Sequence, residues 1–285
     1  MQTTYRWRNW LLAVPASLIA AAAWSQPLPA SKLQTKSASV LVLDESEATV
    51  LYSKASQQVM PVASITKLMT ALVVLEGRQP LDEVVTVLQA DRDRTKASAS
   101  RLAVGTKLTR AELLHLALMS SENRAAQAVG RAYPGGLPTF IKQMNAKAKE
   151  LGMKNSRFVD PTGLSSGNVA TAADLVKLVM AASRQPLIEE YSTSEKLAVK
   201  VGRQMLEFRN TNSLTAKDDW DISVQKTGFT QDAGQCLVMK ATIQDRPIVI
   251  VLLNSFGKLT RVADARRIRR WMEGGAGGSQ MARAR

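Results

Sequence analysis

The stretch PVASITKLMTAL, residues 61–72, sets a hydroxyl and an amine three residues apart, Ser64 and Lys67, inside an otherwise apolar pattern. On a helix that spacing brings both side chains to one face, one turn apart, so the amine can reach the hydroxyl. A neutral lysine could then take the serine proton and leave an oxygen able to attack a carbonyl. A free lysine titrates near ~10.4 and is protonated at neutral pH. Burial, a second cation or the positive end of a helix would each disfavour the charged form. Alone, the pair reads more simply as a core helix with a lysine at its solvated edge.

Two more groups have the right types for the same chemistry. SSEN, residues 120–123, interrupts two apolar helical runs with Ser121 and Asn123, a hydroxyl that could relay a proton and a carboxamide that could bind a peptide backbone. By itself it is also an ordinary helix cap or interhelix turn. In VQKTGFT, Lys226, Thr227 and Gly228 sit in an alternating strand pattern. If that strand borders a cleft, its backbone can pair with an extended peptide while Lys226 and Thr227 hold an anion, and Gly228 removes a side chain that would block the approach.

The elements that must position these groups follow from periodicity. ASVLVLDESEATVLYSKAS reads as two strands around a polar turn. SITKLMTALVVLEG has helical spacing and a glycine stop, and residues 78–107 read as a long irregular stretch with a surface loop at DRDRTKASAS. TRAELLHLALM opens on a capping box, Thr109 with Glu112. RAAQAVGRAY, PTFIKQMNAKAKELGM and TAADLVKLVMAAS are further helices, the last two separated by the turn-rich FVDPTGLSSGN. Strands return at KLAVKV, QMLEFR, ISVQKTGFT, GQCLVMKATI and PIVIVLLNSF, before a closing basic helix, RVADARRIRRWME. Helices enclosed between the strands of an antiparallel sheet predict an α+β fold in which both ends of the chain share one sheet.

The 285 residues hold no internal repeat, and one domain over 38–273 is expected. Arg6 and Arg8 precede an apolar run from Trp10 to Ala23, the pattern of a secretory signal peptide over 1–25, cut between Ser25 and Gln26. Export predicts a periplasmic protein with no stable membrane anchor after cleavage. Residues 26–37 read as an exposed lead-in and 274–285 as a disordered tail. Cys236 is the sole cysteine, so no internal disulfide can form, and its apolar setting predicts a buried, inert thiol. His115 is the sole histidine and lies among core-type residues, which leaves neither a Ser-His-Asp triad nor a zinc site of two or more histidines. The net charge is +14, but the basic residues are scattered and aromatic residues make up only 5%, so a nucleic-acid surface is not expected. Loose attraction to an acidic envelope polymer fits better.

In order, S-x-x-K, S-x-N and K-T-G form the three-motif set of penicillin-binding proteins and serine β-lactamases, with Glu122 in place of the usual Asp of the second motif. VASITKLMTALVVLE, LMSSENRAA, FVDPTGLSSGNVATAADL and VQKTGFT together resemble the serine D-Ala-D-Ala carboxypeptidase family (peptidase S11) of low-molecular-weight penicillin-binding proteins. The likeness runs from about residue 38 to 272 and is greatest to the type-7 D-alanyl-D-alanine endopeptidase branch, because the chain ends soon after its last helix. The resemblance implies a β-lactamase/transpeptidase-like fold, with Ser64 as acylated nucleophile, Lys67 as general base and Ser121 as proton relay. It further implies that Asn123 binds the peptide backbone, that Lys226, Thr227 and Gly228 hold the carboxylate side, and that the N–H groups of Ser64 and Phe229 form an oxyanion hole. The substrates would be peptidoglycan stem peptides, with β-lactams as covalent inhibitors at Ser64, and neither metal nor cofactor is implied. Endopeptidase cleavage of DD-cross-links is the expected reaction, and release of terminal D-Ala the alternative. A β-lactamase lacks support because no E-x-x-L-N deacylation motif is present, and a non-catalytic peptidoglycan-binding or sensing domain because every reactive residue is retained.

Overall fold

The computed structural model describes residues 33–93 and 100–276. The expected signal peptide, most of the lead-in and the end of the tail lie outside them. The chain opens with a hairpin, β1 (Ser37–Asp44) and β2 (Thr49–Lys54), then a two-residue strand β3 (Met60–Pro61), a 3-10 turn (Ala63–Ile65) and helix α1 (Thr66–Glu76). The short strands β4 (Val84–Thr86) and β5 (Lys107–Thr109) pair within the stretch that reads as irregular. Helices α2 (Arg110–Met119), α3 (Asn123–Arg131) and α4 (Gly136–Glu150) follow. After them come β6 (Val169–Ala170), which pairs with β3, and helices α5 (Ala172–Ala182) and α6 (Pro186–Thr193). The chain then forms β7 (Lys196–Val201), β8 (Gln204–Arg209), β9 (Asp221–Thr230), β10 (Gly234–Ile243), β11 (Arg246–Ser255) and helix α7 (Thr260–Trp271).

The main sheet is antiparallel with order β2-β1-β11-β10-β9, so the first and last thirds of the chain share it, as the pattern predicts. Its central strands are apolar on both faces. Along β11, Val249, Val251 and Leu253 join the core beneath the helices, while Ile248, Ile250 and Leu252 face α7 with Ala265, Ile268 and Met272. A period of two with both faces apolar is what a continuous run such as IVIVLL requires when helices cover both sides. β7 and β8 form a separate ribbon rather than extending the sheet. β9 is therefore left as an edge strand, and that edge faces the start of α1.

Local signals hold where the side chain itself makes the bond. Thr109 accepts from the Glu112 N–H (3.1 Å) and Glu112 takes the Thr109 N–H (2.7 Å), closing the capping box. Thr171 caps α5 in the same way through the Asp174 N–H. Helix α6 has no expected counterpart; Pro186 starts it and Ile188 and Tyr191 are buried beneath it.

The end of the lead-in departs from expectation. Leu33 is buried, and Asp264 of α7 accepts the N–H groups of Lys36 and Ser37 (2.9 and 2.8 Å) and the Ser37 hydroxyl (2.7 Å). A buried carboxylate thus pins residues 33–37 to the last helix, and order at the other end continues through a π-helical turn, Met272–Ala276. Asp264→Ala would strand those donors and the Arg267 guanidinium (2.7 Å), which costs about 2–4 kcal/mol by the usual penalty for orphaned buried groups. Thermal unfolding should accordingly shift down by roughly 5–15 °C; an unchanged melting temperature would show that this contact does not hold the terminus.

Candidate active site

Ser64 ends up in the 3-10 turn that feeds α1, and Lys67 in the first turn of the helix itself. Lys67 is 1% exposed, and its Nζ donates to Ser64 Oγ (2.8 Å), Asn123 Oδ1 (2.7 Å) and the Thr162 carbonyl (2.6 Å). Three partners saturate an ammonium. They are not equivalent, because Asn123 Oδ1 and the Thr162 carbonyl can only accept, whereas a hydroxyl can also donate. When the amine loses one proton, its two remaining N–H bonds are held by the obligate acceptors and its lone pair is left facing Ser64. The arrangement orients a neutral lysine as a base for that one hydroxyl.

Burial supplies the neutral form. It lowers the Lys67 pKa to about 7, against the opposing pull of the Asp160 and Glu122 carboxylates. The second cation expected to assist is present but works differently. Lys226, fully buried, is itself pushed well below the usual lysine range by burial, then by repulsion from Lys67 and Arg261. Desolvation, and not Lys226, is what lowers Lys67. Glu122, which stands in place of the usual Asp, is buried, accepts from the Arg124 N–H (3.2 Å) and acts on Lys67 through its charge.

Of the residues singled out from the sequence, Ser64, Lys67 and Asn123 meet directly. Asn123 starts α3, and its Nδ2 makes no hydrogen bond among the described residues, which leaves it able to bind a peptide carbonyl. Ser121 lies in the same turn with φ 61°, a left-handed conformation uncommon for serine, and makes no side-chain hydrogen bond there. From the other side, β9 brings Gly228 against the Ser64 turn: a Cβ on Gly228 would lie 3.1 Å from the Ser64 nitrogen and from the Val62 carbonyl. Thr227 shares a 2.6 Å hydroxyl contact with Thr211, Lys226 Nζ donates to the Thr227 carbonyl (3.0 Å), and Phe229 is exposed at 58%. Cys236 is buried behind this strand, its pKa raised to about 11 by desolvation, and His115 stacks on Tyr191 at 4.4 Å.

Several contributors escaped the sequence reading. The loop 158–168 is bolted to the start of α1: Asn168 bonds Thr66 Oγ1 (3.1 Å) and Thr70 donates to the Pro161 carbonyl (2.7 Å). Asp160 organises the loop by accepting from the Thr162 and Gly163 N–H groups (2.7 and 2.8 Å) and the Thr162 hydroxyl (2.6 Å). Arg261 of α7 donates to the Gly228 carbonyl (2.8 Å) and fixes β9 from behind. Asp and Thr beside a Pro-Gly turn were legible as turn chemistry; the long-range contacts were not.

The family model of D-alanyl-D-alanine carboxypeptidase, peptidase S11, matches residues 24–257. The chain belongs to the D-alanyl-D-alanine carboxypeptidase family. Within this S11 family it is 47% identical to a D-alanyl-D-alanine endopeptidase of Pseudomonas aeruginosa over 263 residues, 90% of this chain and 85% of the relative. It is 46% identical to one from Escherichia coli over 267 residues, 93% of this chain and 86% of that protein. Among solved structures, the DD-transpeptidase of Streptomyces K15 superposes with a TM-score of 0.78 at 28% identity, over 85% of this chain and 98% of that one. Penicillin-binding protein D2 of Listeria monocytogenes, in its cefotaxime-bound form, gives 0.75 at 26% identity over 84% of this chain and 97% of its own.

Only the neutral amine can accept a proton, so acylation of Ser64 should rise with pH through about 7 and then level off. Glu122→Gln removes a carboxylate that holds the proton on Lys67, and the rising limb should move to lower pH with the plateau preserved. A limb that stays put would refute the role given to Glu122, and one near ~10.4 would refute a neutral Lys67. Gly163, at φ 83°, has room for no side chain, since a Cβ there would lie 1.9 Å from the Ala63 carbonyl oxygen. Gly163→Ala should therefore displace the Ser64 turn and slow acylation by about a hundredfold or more, measured by penicillin labelling of folded protein.

Proposed function

We propose that the chain is a serine DD-peptidase of peptidoglycan that cleaves D-alanyl amide bonds in cross-links, and so acts as a D-alanyl-D-alanine endopeptidase. The observation that carries this reading is the buried Lys67 amine, held by two pure acceptors so that its lone pair meets Ser64. The endopeptidase names of the Pseudomonas and Escherichia relatives support the choice of reaction.

Ser64 passes its proton to Lys67 Nζ as Oγ attacks the D-alanyl carbonyl carbon. The N–H groups of Ser64 and Phe229 hold the oxyanion, each such donor being worth roughly 2.7–4 kcal/mol in comparable sites. When the C–N bond breaks, the proton on Lys67 reaches the leaving amine through Ser121. Water then attacks the acyl-enzyme, giving its proton back through Lys67, and the free Ser64 hydroxyl is restored. Asn123 Nδ2 binds the acyl-side backbone, while Lys226, Thr227 and Gly228 receive the carboxylate side. An incoming carboxylate also supplies a counter-charge that favours the charged form of Lys226 against its burial.

Residues 1–25 direct export to the periplasm, where 38–273 act as the penicillin-binding peptidase domain and β-lactams acylate Ser64. Among the described residues no helix is long and apolar enough to cross a membrane. Purified cross-linked muropeptide dimers should be converted to monomers, and Ser64→Ala should abolish both this and penicillin labelling. Release of D-Ala from pentapeptides with dimers untouched would assign the carboxypeptidase reaction instead. Rapid turnover of penicillin would replace the peptidase with a β-lactamase.

A further inference from the structure

Thr211 belongs to none of the three motifs, yet its hydroxyl lies 2.6 Å from that of Thr227. Its backbone is fixed from several directions. Asn210 Nδ2 donates to the Ser192 and Ser194 carbonyls (2.9 and 2.8 Å), and Asn210 Oδ1 accepts from Gln225 Nε2 and the Asn212 N–H (both 2.9 Å). The Thr211 N–H donates to the carbonyl of Met119 (3.1 Å), the last residue of α2 and two before Ser121. The segment that follows β8 is thus locked at once to α6, to β9 and to the end of α2. Thr211 itself is exposed, so its side chain stays open to solvent beside Thr227 while its backbone is held.

Two hydroxyls this close share one hydrogen bond, and its direction follows from what else each can reach. A second acceptor for the Thr211 proton, the Met119 carbonyl, is 3.5 Å away, beyond the range of a good O–H···O bond. The Thr227 hydroxyl has no other partner among the described residues. When Thr211 donates to Thr227, the Thr227 proton is free for a ligand. The ligand this suits is an anion. Lys226 Nζ is fully buried, and its one hydrogen-bond partner among the described residues is the Thr227 carbonyl (3.0 Å), where an ammonium can serve three. Burial, Lys67 and Arg261 all disfavour its charged form, and a bound anion offsets them.

We propose that Thr211 is a positioning residue of the leaving side: it donates to Thr227, and Thr227 donates in turn to the carboxylate of the leaving residue. No proton is transferred. Each bond of such a chain polarises the next, so Thr211 strengthens a contact that it does not itself make. The role rests on the DD-peptidase reading and adds to it an element outside the motifs that selects leaving groups carrying a carboxylate.

Benzylpenicillin carries its carboxylate on the carbon next to the β-lactam nitrogen, as a D-alanyl leaving residue carries it next to the leaving amine. Its methyl ester removes the charge and keeps the reacting ring. The test compares the rates at which the acid and the ester acylate Ser64 in each variant. The wild type should favour the acid by about a hundredfold, the scale of two charge-assisted contacts. Thr211→Val keeps the volume and the N–H bond to Met119, and should cut that preference to about tenfold. Thr211→Ser should hold it within about twofold of wild type. A residue that only braces the loop would slow both reagents alike, so an unchanged acid-to-ester ratio in Thr211→Val would overturn the proposal. Equal rates for acid and ester in the wild type would do the same, as would a ratio lost as fully in Thr211→Ser as in Thr211→Val. If Thr211→Val does not fold, Thr211→Ala carries the same comparison. A wild type labelled by neither reagent would instead defeat the DD-peptidase reading itself.

Discussion

A lysine amine buried to 1% exposure has to be satisfied on every side or discharged, and here it is arranged to be both. The three acceptors around Lys67 come from segments far apart in the chain: the 3-10 turn before α1, the first residue of α3 and the loop before β6. Helix α1 sits in the core with nearly every residue buried, so the amine cannot swing out to water. The break between α2 and α3 puts Asn123 at a helix start, where its side chain points across to α1. Asp160 and Asn168 stiffen the loop that presents the Thr162 carbonyl. Each of these is a condition for one lone pair to face one hydroxyl.

Electrostatics tune this arrangement instead of creating it. Desolvation pushes Lys67 toward the neutral form, while Glu122 and Asp160 keep it from going further. The outcome is an amine that can both take and return a proton at neutral pH, which a mechanism with two proton transfers through one group requires. Lys226 of β9, by contrast, is disfavoured as a cation by burial and by repulsion from Lys67 and Arg261, so it is the lysine whose charged form a bound anion stabilises. The site thus has two lysines with different neighbours and different tasks.

Periodicity and cap residues revealed the strands of the main sheet, most helices and the capping box at Thr109, because these depend on bonds and faces that are local in sequence. The motif residues were visible for another reason: their types and order were distinctive even though 57 and 162 positions separate Ser64 from Ser121 and Lys226. What stayed hidden depends on tertiary contact. Thr211 and Arg261 look like any loop threonine and surface arginine until their partners, Thr227 and the Gly228 carbonyl, are in place. Helix α6 is only eight residues long, and β4 with β5 spans three residues each, too short for a period to register. Residues 33–37 carry no signal of burial because the carboxylate that orders them, Asp264, lies more than two hundred positions away.

The turn bearing Ser64 is gripped on two sides by residues that have no side chain, Gly163 and Gly228, each against the backbone of residues 62–64. One comes from the middle of the chain and the other from its last third. A chain that has folded its first hairpin and helices, but has not yet docked β9, has the serine and the lysine yet lacks one jaw of this clamp. Its serine turn is then braced on one side only, by Gly163. The shape of the serine turn is in this way tied to assembly of the sheet, because the second jaw arrives on a strand from the last third of the chain.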